Sequence, residues 1–419
     1  MINNKINISL LTALISGVLL TSCSEKYTTE VKDGITIISN QDGATLGYSA
    51  ESGVTILAQD RYAFKDLNKN GTLDNYEDWR LPVTERAKDL AGKMSLEDIA
   101  GLMLYSSHQS IPGSSRGFGS SNYGGKPFSE SGALASDSYA EFNAGAGGAI
   151  SMWPGTLGLA ASFDPALMKQ FGEIGSKEYR ALGIATALSP QIDLATEPRW
   201  SRFDGTMGED PNLATDMARA YVDGFQSTDG GDWGMQSVNA MVKHWPGGGP
   251  EEGGRDGHFG YGAYAVYPGK NIKDHMQPFT EGAFKLNGPT KKAAAVMPYY
   301  TISDGEGENV ANGYNKYLIT DVLRGKYGYD GVLCTDWGIT RDVSAIDKFE
   351  GKPWGVETMS EAERHYKAIA AGMDQFGGNN AMGPVLEAYK MGVAEHGEKA
   401  IRERFEASAV RLLSNIFRV

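Results

Sequence analysis

The chain of 419 residues is 41% hydrophobic, 22% charged and 10% aromatic, an ordinary globular composition long enough for one large domain or two medium ones. Its 54 glycines show no collagen-like period, and its aromatic residues are too frequent for a disordered chain. A net charge of −13 argues against nucleic-acid and anionic-membrane partners, and two cysteines, Cys23 and Cys334, exclude a disulfide framework and a thiolate zinc site.

At the N-terminus, Lys5 precedes an apolar run from Ile8 to Leu20. The run is too short for a membrane span and suits the apolar region of a secretory signal. It ends in Leu20-Thr21-Ser22-Cys23, which resembles a bacterial lipobox. That resemblance implies loss of residues 1–22 as a signal peptide and a lipid anchor at Cys23. The protein would then be exported and held at the envelope, on the periplasmic or outer-membrane face. The alternative is an ordinary signal peptide. No later apolar run is long enough to span a bilayer. Residues 23–60 read as a tether followed by short strands such as Ile35-Thr36-Ile37-Ile38, with a turn at Gln41-Asp42-Gly43.

Residues 61–80 contain an EF-hand-like loop. From Asp66 to Glu77, oxygen side chains fall at loop positions 1 (Asp66), 3 (Asn68), 5 (Asn70) and 9 (Asp74). Gly71 stands at the sharp turn, Thr72 offers its carbonyl, and Glu77 at position 12 can bind with both oxygens. No long amphipathic helix precedes Asp66, so the expectation is a single extracellular loop that staples local structure around a structural Ca²⁺. A hydrated Asn/Asp/Gly turn is the alternative.

From residue 81 to residue 419 the chain alternates strand and helix. Ser95-Leu96-Glu97-Asp98 is a capping box, Asp164-Pro165 opens a helix that Gly183 closes, and Ser360-Glu361-Ala362-Glu363 opens another ending near Gly372. Thr320-Asp321 reads as the cap of Val322-Leu323, and the chain ends in an amphipathic helix whose apolar face is Ala409, Leu412, Leu413 and Ile416. Between these lie apolar runs of strand length at 184–188, 238–242, 293–297 and 331–334. Runs without polar alternation suit strands buried on both faces of a parallel sheet. Each ends in polar residues: Gln191 and Asp193, Lys243-His244, Tyr299-Tyr300, and Thr335-Asp336-Trp337. Polar residues at the C-terminal ends of successive parallel strands predict an α/β fold of the (β/α)8 TIM-barrel type, with its active site on that face. A doubly wound open sheet is the runner-up, but no Gly-x-Gly-x-x-Gly follows a first strand.

Asp336, at a strand tip beside Trp337, is suited to nucleophilic attack on a sugar carbon, with the indole as platform. Lys243 and His244 can donate to hydroxyls. Glu197-Pro198-Arg199-Trp200-Ser201-Arg202 suits hydroxyl recognition or a buried ion pair. Gly208-Glu209-Asp210-Pro211 reads as a turn and a helix cap. The six histidines lack metal spacing.

The ordered set Arg199-Trp200-Ser201-Arg202, Lys243-His244-Trp245-Pro246-Gly247-Gly248-Gly249, Val296-Met297-Pro298-Tyr299-Tyr300 and Thr335-Asp336-Trp337-Gly338 resembles the barrel domain of glycoside hydrolase family 3, the β-glucosidase and β-xylosidase type. The resemblance covers roughly residues 80–419. It implies Asp336 as nucleophile, and Lys243, His244, Arg202, Tyr300 and Asp137 as sugar-binding residues beside Trp337. It implies a retaining double displacement on an oligosaccharide or β-glycoside, with no catalytic cofactor. In most of this family the acid/base is a glutamate on a second α/β sandwich domain, which is absent from this sequence. The sequence is then a fragment, or a partner chain supplies that domain, or the barrel is complete. Single-domain relatives of the β-N-acetylhexosaminidase type carry Asp-x-His on the loop after Lys-His, and Asp256-Gly257-His258 occupies that loop here. A non-catalytic, lipid-anchored carbohydrate-binding barrel is the alternative from another functional class.

Overall fold

The computed structural model describes residues 25–105, 151, 153–181, 183–227, 231–347 and 351–419, with the short strands Asn122–Tyr123 and Lys126–Pro127. The signal segment, Cys23 and Asp137 lie outside the described residues. The chain divides into two compact units, one up to Pro82 and one from Val83.

In the first unit, β1 (Tyr27–Lys32), β2 (Ile35–Asn40) and β3 (Thr45–Ser49) form an antiparallel sheet. The turn at Gln41-Asp42-Gly43 joins β2 to β3, as its residues predict, and Asp42 takes φ 53° there. The hairpin β4 (Thr55–Gln59) and β5 (Tyr62–Asp66) is tied on by Asn40. The Asn40 side chain accepts from the Ala63 amide at 2.8 Å and donates to the Ala63 carbonyl at 3.2 Å.

The loop after β5 winds around its own oxygens. Asp66 accepts from the Asn70 and Gly71 amides, both at 3.0 Å, and Gly71 takes φ 77°. Glu77 accepts from the Leu67 amide at 2.7 Å and the Asp74 amide at 3.0 Å. The side-chain amides of Asn68 and Asn70 donate to Asp74 at 2.7 and 2.8 Å. The all-oxygen donor set suits a hard cation. Here, however, its carboxylates serve the loop's own amides. Among the described residues no three His, Cys, Asp or Glu side chains are gathered into a metal cage.

The second unit is an α/β fold built on parallel strands. After β6 (Leu104–Tyr105) and the two short strands β7 (Asn122–Tyr123) and β8 (Lys126–Pro127), the chain runs through β9 (Thr186–Ala187) and β10 (Asn239–Trp245). It continues through β11 (Tyr264–Ala265), β12 (Ala295–Pro298), β13 (Ile302–Ser303), β14 (Val332–Leu333) and β15 (Phe376–Gly377). Strands β9, β10, β12 and β14 are neighbours in that order, all parallel. A parallel bridge from Cys334 to Gln375 continues the array to β15, which pairs with β6. The four apolar runs each supply one of the central strands; the apolar residues of the last three are buried, whereas in the first Ala187 is buried and Ile184 is 37% exposed. Helices lie between them, and none among the described residues is long and apolar enough to cross a membrane.

The caps follow local chemistry. Ser95 and Asp98 form a reciprocal capping box, as do Ser360 and Glu363. The Asp164 carboxylate accepts from the Ala166 amide at 2.9 Å at the start of helix Pro165–Ala181. Asp210 caps helix Pro211–Gln226 through the Asn212 and Leu213 amides. Two local expectations are corrected. Thr320-Asp321 does not cap: the helical segment already starts at Tyr317, and the Thr320 hydroxyl donates to the Ala371 carbonyl instead. In the last helix, Glu398–Arg418, Ala409, Leu412 and Leu413 are buried but Ile416 is 53% exposed, because the core ends before that turn.

Asp374, just before β15, locks this helix to the sheet. Its fully buried carboxylate accepts from Arg324 at 2.7 Å, Arg411 at 2.9 Å, Ser408 at 2.8 Å and the Leu333 amide at 3.0 Å, and Arg404 lies 3.6 Å away. Burial raises its pKa, but the three guanidiniums outweigh burial and hold it below the usual range. Asp374→Asn would leave those guanidiniums without their counter-charge. It should cost about 3–5 kcal/mol in urea unfolding, and a loss under about 1 kcal/mol would show that the cluster relaxes into water.

Candidate active site

The C-terminal ends of β9, β10, β12 and β14 converge on one pocket. The loop after β9 brings Asp193, β10 brings Lys243 and His244, β12 leads into Tyr299 and Tyr300, and β14 leads into Thr335, Asp336 and Trp337. The Lys243–His244 peptide is cis.

Asp193 is fully buried and makes only acceptor contacts. Its Oδ1 takes the His244 amide at 2.9 Å and the Gly248 amide at 2.5 Å, and its Oδ2 lies 2.7 Å from His244 Nδ1. On the other side of the ring, Arg202 Nη2 stands 3.1 Å from His244 Nε2. A guanidinium can only donate, so Nε2 accepts and the imidazole proton sits on Nδ1, facing Asp193. Every partner of Asp193 is therefore a donor, which fixes it as a carboxylate. Burial raises its pKa above the ordinary carboxylate value, and the two amides and the Arg202 and Lys243 charges offset only part of that rise. Burial and the neighbouring Arg202 push His244 well below its ordinary value, so the ring is neutral.

Arg202 extends this array. Its Nη1 donates to the Tyr299 hydroxyl at 3.2 Å. Burial opposes its charge, but Tyr299, Asp336 and Asp193 outweigh burial and raise its pKa. The nearby Arg199 takes neither course expected for this stretch: it is exposed, and its pair with Glu197 at 2.7 Å lies at the surface rather than buried. Lys243 is pulled down to about 8 by burial and by Arg202, against the pull of Asp336 and Asp193.

Asp336 is 6% exposed. Its Oδ1 accepts from the Trp337 amide at 2.7 Å. Its Oδ2 makes no hydrogen bond among the described residues and lies 3.7 Å from His244 Nε2. The Tyr300 hydroxyl donates to the Trp337 carbonyl at 2.8 Å, fixing the backbone next to Asp336. Behind the indole, β15 must be glycine: a Cβ at Gly377 would stand 2.6 Å from the Trp337 ring and 2.4 Å from the Thr335 carbonyl. The Gly377 amide also donates to the Thr335 hydroxyl at 2.9 Å.

The loop after β10 adds Asp256 and His258. Asp256 Oδ1 accepts from the His258 amide at 2.9 Å and lies 2.5 Å from His258 Nδ1, and Oδ2 accepts from Ser201 at 3.2 Å. Burial would raise the Asp256 pKa, but His258 and Arg202 outweigh it and hold the carboxyl far below its usual range. The His258 ring lies 4.7 Å from that of Tyr300, so the pair borders the same pocket. Arg255 turns away to Glu252 at 3.6 Å.

The structure thus brings together Asp336, Trp337, His244, Lys243, Arg202, Tyr300, Asp256 and His258. Asp193, Tyr299, Glu251 and Lys352 join them without having been singled out as site residues. Asp193 was legible only as a polar residue at a strand end. Three cations (Arg202, Lys243, Lys352) face three carboxylates (Asp193, Asp256, Asp336), a balance suited to a neutral, hydroxyl-bearing ligand.

Glu251 is 2% exposed, and neither carboxyl oxygen has a hydrogen bond among the described residues. Burial, with Asp256 beside it, pushes its pKa well above the carboxylate range. A group whose pKa is raised on folding stabilises the fold at low pH and loses that contribution as pH rises. Glu251→Gln removes this loss. The Tm of the variant relative to wild type should therefore increase between pH 5 and pH 8, whereas a pH-independent difference would mean that Glu251 is ionised throughout.

Residues 139–414 match the glycosyl hydrolase family 3 N-terminal domain. The chain is 38% identical over 425 aligned residues to a periplasmic β-glucosidase/β-xylosidase of Dickeya chrysanthemi, covering 87% of this chain and 63% of that protein. It is 36% identical to β-glucosidase C of Emericella nidulans, covering 84% and 61%. The chain therefore spans about three fifths of the length of these relatives. Among solved structures, a β-glucosidase of Erythrobacter marinus superposes with a TM-score of 0.62 at 23% identity, over 82% of this chain and 46% of that one. A β-glucosidase of Listeria innocua in complex with glucose superposes with a TM-score of 0.58 at 21% identity, over 79% and 46%. These two likenesses speak for the fold, and the longer sequence matches carry the assignment: this chain belongs to glycoside hydrolase family 3, whose N-terminal domain it contains.

Proposed function

We propose that the chain is the nucleophile-bearing barrel of a retaining, exo-acting β-glycosidase that removes terminal β-linked glucose or xylose. The observation that carries this reading is Asp336, a buried carboxylate at a strand end with one oxygen free of hydrogen bonds among the described residues and a cationic, hydroxyl-binding wall around it. Closure of the parallel array of β9, β10, β12, β14, β15 and β6 into an eight-stranded barrel is part of the same reading.

In this mechanism Asp336 Oδ2 attacks the anomeric carbon as the bond to the leaving oxygen breaks. A carboxyl about 5–5.5 Å away protonates that oxygen, then takes a proton from the water that releases the sugar. Each proton transfer contributes roughly 10²–10⁴-fold. Lys243, His244 and Arg202 bind sugar hydroxyls, Asp137 joins them, and Trp337 is the platform. We assign the acid/base to a second domain, consistent with the greater length of the relatives. A second reading, of the β-N-acetylhexosaminidase type, has His258 as acid/base oriented by Asp256. It is favoured by their close contact beside Tyr300. Asp256 itself, held ionised, is a poor proton donor. Export with a lipid anchor at Cys23 completes the reading, in keeping with the periplasmic relative.

The test is covalent trapping with 2,4-dinitrophenyl 2-deoxy-2-fluoro-β-glucoside and its xylose analogue, followed by intact mass and peptide mapping. The leaving group needs no acid, so the nucleophile is tested alone. One glycosyl unit on Asp336 is expected. Folded protein that takes up neither sugar would point to a non-catalytic carbohydrate-binding barrel.

We also propose that the loop 66–77 holds one Ca²⁺ through Asp66, Asn68, Asn70, the Thr72 carbonyl, Asp74 and Glu77. Calcium at about 100 times its Kd should add about 2.7 kcal/mol, seen as a higher Tm than in EDTA and lost in Glu77→Gln. Equal Tm values in calcium and EDTA would mean that the loop is closed by its own amides.

A further inference from the structure

The loop after β10 does not end at the pocket. Past Asp256 and His258 it runs on through Phe259 into a short 3-10 turn, Gly260–Gly262, and then β11. Main-chain contacts tie this turn to the pocket loop. The Phe259 amide donates to the Asp256 carbonyl at 3.1 Å, and the Gly262 amide to the Phe259 carbonyl at 2.9 Å. A Cβ at Gly262 would stand 2.2 Å from the Asp256 carbonyl oxygen, so only glycine lets the turn close this tightly. The Trp354 indole N–H donates to the Gly257 carbonyl at 2.8 Å and holds the same loop from another segment.

The loop after β14, which follows Asp336, meets the turn as well. The Gly260 amide donates to the Ile346 carbonyl at 2.8 Å, and a Cβ at Gly260 would stand 2.8 Å from that of Ile346. The two loops together bring apolar surface to solvent: Tyr261 is 49% exposed and Ile346 63%. The Tyr261 ring stacks on Phe259, with centroids 5.3 Å apart and planes 5° from parallel. Phe259 thus covers one face of the tyrosine ring and fixes its plane. A single exposed apolar side chain calls for no explanation. Here a flat ring is held on the two loops that deliver His258 and Asp336, so a ligand stacking on it need order little of the protein. A pyranose ring carries hydroxyls at its rim and C–H groups on its faces. It therefore suits a flat aromatic surface continuous with a hydroxyl-binding pocket.

We propose that Tyr261, backed by Phe259 and flanked by Ile346, is the platform for a second sugar ring, on the leaving-group side of the bond that Asp336 attacks. The inference rests on the reading of the pocket as a glycosidase site. It makes the preferred substrate a disaccharide or longer β-linked chain rather than a glycoside with a small leaving group. Tyr261 touches the second ring and not the first, so its loss weakens two-ring ligands selectively.

The test is calorimetric binding to the full chain of glucose against thiocellobiose, whose sulfur link resists cleavage, and of xylose against thioxylobiose. The second ring should tighten binding by about 3- to 10-fold in the wild type. That gain should persist in Y261F, which keeps the ring, and vanish in Y261A and in Y261L, which is apolar but not flat, while the single-sugar Kd holds. A gain that survives Y261A, or a loss that is equal for one ring and two, overturns the inference. Fluoroglucoside labelling of the same wild-type protein separates the two readings. A labelled wild type that gains nothing from the second ring overturns this inference alone. An unlabelled wild type with a Tyr261-dependent gain overturns the nucleophile reading and leaves the platform standing, and a wild type with neither overturns both.

Discussion

The pocket depends on the burial of one carboxylate, Asp193. Buried without partners, it would lose its charge. It keeps the charge by drawing three donors inward: the His244 amide, the His244 ring and the Gly248 amide. Those contacts fix the turn after β10 and leave His244 Nε2 as an acceptor, which captures Arg202. Arg202 in turn reaches Tyr299 and feels Asp336. One desolvated charge thus orders residues from three strand ends into a single wall.

The same arrangement recurs just before β15. Asp374 gathers Arg324, Arg404 and Arg411 and joins β14 to the last helix. The segment that carries Asp336 is therefore held from both ends: by Asp374 at the Leu333 amide, and by the Tyr300 hydroxyl at the Trp337 carbonyl. A carboxylate meant to react should make few contacts of its own and sit on a rigid frame. Asp336 meets that condition, since its rigidity comes from its neighbours and one oxygen is left without a hydrogen bond.

Much of this could be read in the residues. The capping boxes at Ser95 and Ser360 formed because their partners lie three residues away, and three of the four apolar runs became parallel strands buried on both faces, while the run at 184–188 is buried only at Ala187. Thr320-Asp321 misled because a helix start is also set by what precedes it. Here, packing of Leu318 and Ile319 draws the helical segment back to Tyr317. Ile416 misled because an apolar period does not say where the core ends. Glu251 and Lys352 were invisible as site residues, since a glutamate and a lysine on loops are usually solvated and nothing local marks them as buried.

By itself the sequence determined the alternating αβ plan and the strand-end positions of Asp336, Lys243 and His244, because these rest on periodicity and short-range spacing, and the resemblance of its four ordered motifs pointed to the family. Only the tertiary structure decided which of those polar residues meet, which nitrogen of His244 carries the proton, that Arg202 and not Arg199 joins them, and that Trp354 reaches back to the Gly257 carbonyl between Asp256 and His258. Each of these is a matter of desolvation and of donors meeting acceptors across 42 to 97 residues of chain, and no local pattern encodes it.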